Sequence, residues 1–310
     1  MNWKVPYIDL KAQYDALKDE LDEAMQRVMA SGRYINGEET ERFEQSLAKY
    51  LGVKHVIGVG NGYDALFLAL NELGVDRRGE VHADAYTHIS THAAFSNLGA
   101  KIGYGDTVDV DIVVHMNGRF NNRDWGHVMI EDSCQALGTK FQDKYAGTFG
   151  IMGCFSFHPM KVLSCAGDGG AICTNDDDLN TRLRELRNHG GGKGYGVNSR
   201  LDNIQAAILN VKLPYLDKWI ARRREIASIY ETELPPWVTK PPAPSNGPYF
   251  DTYSSYVIGG SPEMLSHMRN KGIECFSHIR TNLLSLPIYP EMKEAHQAMV
   301  IAAVRSYTNG

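Results

Sequence analysis

Apolar residues at Leu10, Tyr14, Leu17, Leu21, Met25 and Val28 recur at steps of three and four, the spacing of one helix face. They predict an amphipathic helix that Gly32 ends. The same period places a second helix over residues 39–51, with Phe43, Leu47 and Tyr50 on one face and Gly52 as its stop. Beyond it the pattern changes. Short apolar runs at 55–59, Val81, 112–115 and 128–130 alternate with helical stretches at 62–73 and after Tyr86, which predicts a mainly parallel sheet covered by helices. Runs at 155–157 and 171–174 read as further strands, and 178–188 as a helix. A long helical pattern then extends from 201 to 234, interrupted at Pro214, where the missing N–H and the ring split a helix. The proline-rich stretch 235–248 marks a boundary, and 253–258, 262–270 and 292–307 predict a small α+β lobe beyond it. The expected organisation is a large α/β domain over 1–234 and a small carboxyl-terminal domain over 235–310.

Composition narrows the class. At 310 residues with 43% hydrophobic content the chain has ample material for a packed core. A formal net charge of −5 gives no electrostatic footprint for nucleic acid, and no basic run is long enough for an anionic membrane. The opening Met1 to Pro6 lacks the apolar stretch of a signal peptide, and no run approaches the roughly 20 apolar residues of a membrane span. A cytoplasmic protein is expected, with five cysteines at irregular spacing that read as reduced. His88 and His92 stand at helical spacing with His82 nearby, but no matching carboxylate or cysteine accompanies them, so no metal site is expected. Arg222, Arg223 and Arg224 read as a solvated or subunit-contact face.

The chemistry centres on Lys161. It ends the run from Gly153 through Phe155, Ser156 and Phe157, precedes Gly167-Asp168-Gly169-Gly170, and follows Glu131-Asp132-Ser133-Cys134-Gln135 upstream. A pyridoxal phosphate site needs a lysine amine for the cofactor aldehyde, an acid for the pyridine nitrogen and donors for the phosphate. Each has a candidate here. The segment from Gly58 to Leu66 turns from a strand into a helix, so the amides at Gly62 and Tyr63 can face a phosphate at a helix start. A tight turn using glycine for its angles is the competing reading. Ser156 adds a hydroxyl. Asp132 ends an apolar strand, where α/β folds place ligands, or else caps the following segment. Gln135 is within reach of the cofactor's phenolic oxygen, and Tyr86 offers a ring to stack on the pyridine or to fill the core.

These motifs in this order resemble the DegT/DnrJ/EryC1/StrS family of pyridoxal phosphate-dependent sugar aminotransferases. The resemblance also includes Val5 to Leu10, Tyr34-Ile35-Asn36-Gly37, Asn198-Ser199-Arg200-Leu201-Asp202 and Leu286 to Pro290, and so spans nearly the whole chain. It implies the aspartate aminotransferase-like fold, type I, with Lys161 as the Schiff-base lysine and Asp132 at the pyridine nitrogen. It further implies Gln135 near the phenolic oxygen, Tyr86 stacked on the ring, and Gly62, Tyr63 and Ser156 at the phosphate. Asn198 would reach the phosphate of the neighbouring subunit, so a homodimer is implied. The implied reaction moves an amino group from L-glutamate, as amino-acid donor, to a keto group of a nucleotide-linked deoxysugar, the 3-keto branch being preferred over the 4-keto branch. A cofactor-binding regulator without turnover is the alternative.

Three departures from the family pattern stand out. Tyr63 replaces a usual threonine. The stretch between Gly99 and Glu131 is short, which predicts the loss of a strand and a helix, and after a match at Gly272 to Glu274 and His278 the chain passes almost directly to Leu283.

Overall fold

A computed structural model describes residues 3–104, 108–123, 128–192, 194–245, 247–277 and 282–307. The amino-terminal apolar stripe forms two helices, α1 (Leu10–Ala16) and α2 (Lys18–Ser31), where the spacing predicts one. Leu17 between them leaves helical angles, at φ −123° and ψ 19°, yet remains buried. Side-chain periodicity does not register a single non-helical residue whose side chain still faces the core. Asp9 starts α1 by accepting the Ala12 N–H at 2.9 Å. Helix α3 spans Glu38–Leu51, and Gly32 and Gly52 close α2 and α3 in the left-handed region, φ 64° and 71°.

The sheet elements follow in chain order as β1 (His55–Val59), α4 (Gly62–Glu72), β2 (Glu80–Ala83), α5 (Ile89–Ser96), β3 (Lys101–Ile102), β4 (Val110–Val114) and β5 (Met129–Asp132). A hairpin of β6 (Lys140–Phe141) and β7 (Lys144–Tyr145) precedes β8 (Met152–Ser156), β9 (Gly170–Thr174) and α6 (Asp177–Leu186). The long helical pattern splits at Pro214 into α7 (Asn203–Lys212) and α8 (Leu216–Glu233), as its ring requires. After β10 (Tyr249–Phe250) come β11 (Tyr256–Gly259), α9 (Pro262–Asn270), β12 (Phe276–Ser277), β13 (Leu283–Leu286) and α10 (Glu294–Arg305).

Seven strands form the central sheet in the order β1-β9-β8-β5-β4-β2-β3. Only β9 runs against its neighbours, and the other pairings are parallel. One face packs Ile57, Ile112, Ile130 and Ile172 with α4 and α6. The other packs Val56, Phe155, Ala171 and Cys173 with α2, α3 and α7. Burial on both faces explains why these strands read as continuous apolar runs. A separate core joins Ile226 and Tyr230 of α8 to Tyr256, Met264, Leu284 and Val300, so the end of α8 packs with the carboxyl-terminal elements. Val5 belongs to that core too and bridges to Ile273.

The short stretch between Gly99 and Glu131 retains both β3 and β4, and the described residues between β4 and β5 contain no α-helix. Phe120 fills the space there, with ring centroids 4.7 Å from His115 and 5.0 Å from Phe141. The hairpin β6–β7 and its partner β10 escape sequence reading because strands of two residues carry no period.

The arginine run is mixed in fate. Arg223 is buried, donating to the carbonyls of Ile288, Tyr253 and Ser254 at 2.6, 3.4 and 3.5 Å, rather than facing solvent. Burial pulls its pKa down to about 10. Arg224 lies over the Phe250 ring at 4.1 Å.

Candidate active site

The carboxyl ends of β5 and β8 and the start of α4 open onto one cavity of about 650 Å³. Gly62, Tyr63, Asp132, Gln135, Ser156 and Lys161 all line it. Residues scattered over a hundred positions meet here because parallel strands end at the same sheet edge.

Two neighbouring carboxylates end β5, and strand alternation sends them to opposite faces. Glu131 is wholly buried and accepts from the amides of Gly147, Phe149 and Gly150 and from His115 Nε2 at 2.8 Å. The His115 tautomer follows, since its Nδ1 accepts the Asn121 N–H at 3.0 Å. Glu131 is thus a structural anchor. Asp132 faces the cavity, its Oδ2 accepting from Thr91 Oγ1 at 2.7 Å and its Oδ1 from the Cys134 N–H at 3.1 Å. These bonds fix its rotamer at the cavity wall.

Asn61 precedes α4 in extended conformation and caps it, its Oδ1 accepting the Asp64 N–H at 2.8 Å. The leading amides of Gly62 and Tyr63 have no helical acceptor and carry the positive end of the dipole. Space at this turn is tight. A Cβ on Gly62 would lie 2.7 Å from Cys134 Sγ and 2.8 Å from Ser156 Cβ. The Tyr63 hydroxyl accepts from Asn97 Nδ2 at 2.7 Å, so it is engaged outside the phosphate cradle. Gln135 turns Oε1 to the Asn117 N–H at 3.1 Å. A cradle of amides, a hydroxyl, a fixed carboxylate and a lysine amine in one cavity is the donor set that pyridoxal phosphate requires, and the group fits.

Two sequence expectations sit elsewhere. Tyr86 is not among the residues lining the cavity; it is partly exposed and interacts with Asn117, while burial raises its pKa. His88, two residues on, lines the cavity instead. His88 is the extended N-cap of α5 and stands exposed on the cavity wall. Burial first and Lys161 second lower the His88 pKa, with Asp132 opposing. The other two histidines are dispersed: His82 pairs with Asp111 at 2.9 Å and His92 meets the Phe95 ring edge-on. Asn198 is exposed and does not line the cavity of its own chain. His278 lies outside the described residues.

Sequence reading also missed the rim. Tyr7, Ser254, Ser255, Phe276, Ser277 and Ser285 close the cavity from the carboxyl-terminal side. Tyr7 and Phe276 meet edge to face at 4.8 Å, and the Tyr7 hydroxyl donates to Ser255 Oγ at 3.4 Å. Tyr7 stood in a recognised motif without a role, and no local pattern pairs it with residues some 270 positions away.

Comparison with known proteins agrees with this geometry. Residues 15–118 and 104–278 match the DegT/DnrJ/EryC1/StrS aminotransferase family. The chain is 33% identical to the pleiotropic regulatory protein of Geobacillus stearothermophilus, covering 98% of each chain. It is 32% identical to the dTDP-3-amino-3,4,6-trideoxy-alpha-D-glucose transaminase of Streptomyces venezuelae, covering 98% of this chain and 96% of that one. Both alignments, over 366 and 370 positions, exceed the 310 residues of this chain, so the relatives carry residues that it lacks. The crystal structure of S. venezuelae DesV with a ketimine intermediate superposes with a TM-score of 0.91 at 31% identity, over 98% of this chain and 99% of that one. The chain belongs to the DegT/DnrJ/EryC1/StrS aminotransferase family, a transaminase of aspartate aminotransferase-like fold that works with pyridoxal 5′-phosphate.

Proposed function

We propose that this chain transfers the amino group of L-glutamate to a keto group of a nucleotide-linked deoxysugar, with a 3-keto acceptor preferred over a 4-keto one. The observation that carries the reading is Lys161, Asp132 and the amide cradle of α4 in one cavity. The 3-amino sugar in the name of the Streptomyces relative supports the acceptor. We place the large domain at residues 1–234 and the small one at 235–310, and the protein in the cytoplasm.

When bound, pyridoxal phosphate supplies an aldehyde that holds amines and a ring that takes up electron density. Lys161, in the same cavity, would hold that aldehyde. Its amine, free of the aldehyde, would be the group placed to move the proton of the donor α-carbon. Asp132, oriented by Thr91 and the Cys134 amide, keeps the pyridine nitrogen protonated. Gln135 stands by the phenolic oxygen. Gly62 and Tyr63 amides and the Ser156 hydroxyl hold the phosphate, and His88 takes the ring-stacking place expected of Tyr86. Asn198 of one protomer completes the phosphate site of the other, which makes the active species a homodimer.

Absorbance of the purified protein before and after L-glutamate is the test. A cofactor band that glutamate shifts supports the reading, and no band in the wild type sinks it. The alternative, a cofactor-binding regulator without turnover, draws on the name of the Geobacillus relative and on the shortened segments. It predicts a band but no burst of 2-oxoglutarate. The retained lysine and the fixed Asp132 weigh against it.

A further inference from the structure

His88 is placed by its own helix. It is the N-cap of α5, and its Nδ1 lies 3.2 Å from the Ser90 N–H and 2.9 Å from Ser90 Oγ. A backbone amide can only donate, so Nδ1 must be the unprotonated nitrogen and the proton sits on Nε2. The ring also lines the cavity. Lys161, proposed for the aldehyde carbon, and Asp132, proposed for the ring nitrogen, line that cavity too, and His88 interacts with both. Cys134 feels the same two groups, and burial holds its thiol protonated.

We propose that His88 is a ring that serves the cofactor only in its neutral, helix-capping form, so that a proton on Nδ1 both uncaps α5 and loosens the cofactor. An imidazolium cannot accept the Ser90 N–H, and it would set a second positive ring beside a protonated pyridine. Uncapping is also felt at Thr91, whose hydroxyl on the first turn of α5 holds Asp132.

The charged surroundings favour the neutral form. Lys161 and His158, on the loop after β8, oppose protonation, and Asp132, at the end of β5, promotes it; Asp168 lines the same cavity. On α4, Asp64 is taken by Ser199 Oγ at 2.6 Å and Tyr63 by Asn97. On and after β2, His82 is paired with Asp111, and Asp84 with Asn121 and Arg123. With burial as the largest cause, the ring titrates below the ordinary histidine value of 6.5.

The inference rests on the cofactor assignment above, and the experiment keeps the two apart. Dissociation constants for pyridoxal phosphate are measured from pH 5.5 to 7.5 for wild type and His88→Phe, which keeps a ring but cannot gain a proton. Titration of the phosphate is common to both proteins and cancels in the ratio. The wild type should lose roughly five- to tenfold more affinity than the variant on acidification. A ratio independent of pH overturns the proposal. In parallel, nitrogen chemical shifts of His88 in the cofactor-free wild type should show a bare Nδ1 and a protonated Nε2 at pH 7.5. A protonated Nδ1 overturns it without any variant. Failure of both proteins to bind the cofactor would fail the cofactor assignment instead, while the tautomer measurement still decides the capping claim.

Discussion

The floor and the rim of the cavity are built in different ways. On the floor, Asp132, Ser156, Lys161 and the amides of Gly62 and Tyr63 sit on or next to strand ends and a helix start of the central sheet. Asp132 has both oxygens held. The rim draws Tyr7 from the amino-terminal segment and Phe276, Ser277 and Ser285 from short strands. A sheet edge positions groups within tenths of an ångström, which proton transfer demands, whereas a rim of hydroxyls and rings tolerates exchange. The difference teaches where to look for each function: we assign the chemistry common to the family to the floor and expect acceptor choice at the rim.

The sharpest break of this comparison is Lys161→Ala, which should cost at least about 10⁴-fold in turnover while melting close to wild type. Formation of 2-oxoglutarate and a thermal melt check it, and an active variant would refute the assignment. Asp132→Asn keeps the shape but removes the charge proposed to face the ring nitrogen. The donor half-reaction should slow by roughly 10²- to 10³-fold in single turnover; unchanged rates would return Asp132 to a capping role. Asn198→Ala should weaken cofactor binding about tenfold to a hundredfold with the dimer mass retained. A wild-type monomer that binds fully would remove the partner from the floor.

For the rim, Phe276→Ala should leave the donor half-reaction within about twofold. Loss of its aromatic contact should raise the acceptor KM by up to roughly tenfold. Equal loss in both half-reactions would erase the distinction between floor and rim. The smallest effect concerns the support behind the floor. Lys212 is buried and donates to Gln13 Oε1 at 2.8 Å and to the Ser164 carbonyl at 2.9 Å, holding the loop that carries Lys161. Burial lowers its pKa to about 8 from 10.5. Below pH 8 it is charged in both folded and unfolded chains and the burial penalty is fully present. Between pH 8 and 10.5 the folded chain binds fewer protons than the unfolded one, so this group's contribution to stability rises with pH. Lys212→Met should flatten that rise relative to wild type in denaturant titrations at several pH values, and parallel curves would contradict it.

What could be read from the chain alone followed from locality. Helices α3 and α4, the strands β1 and β9, the split at Pro214 and the Lys161 and Asp132 motifs are all written within windows of a dozen residues, where period and spacing carry the signal. Tertiary structure decided what depends on direction. Tyr86 and His88 are both rings two positions apart, and only the path of the backbone into α5 shows which one enters the cavity. Glu131 and Asp132 are chemically alike, and the register of β5 between β4 and β8 sends one to an amide cage and the other to the cavity. Arg223 reads as a surface charge until the carbonyls that surround it are assembled from residues 30 to 65 positions away. The rim needed Tyr7 brought against Phe276. Identity and spacing state which groups are available, but which face they occupy is set by long-range packing, and that has no signature in a short window.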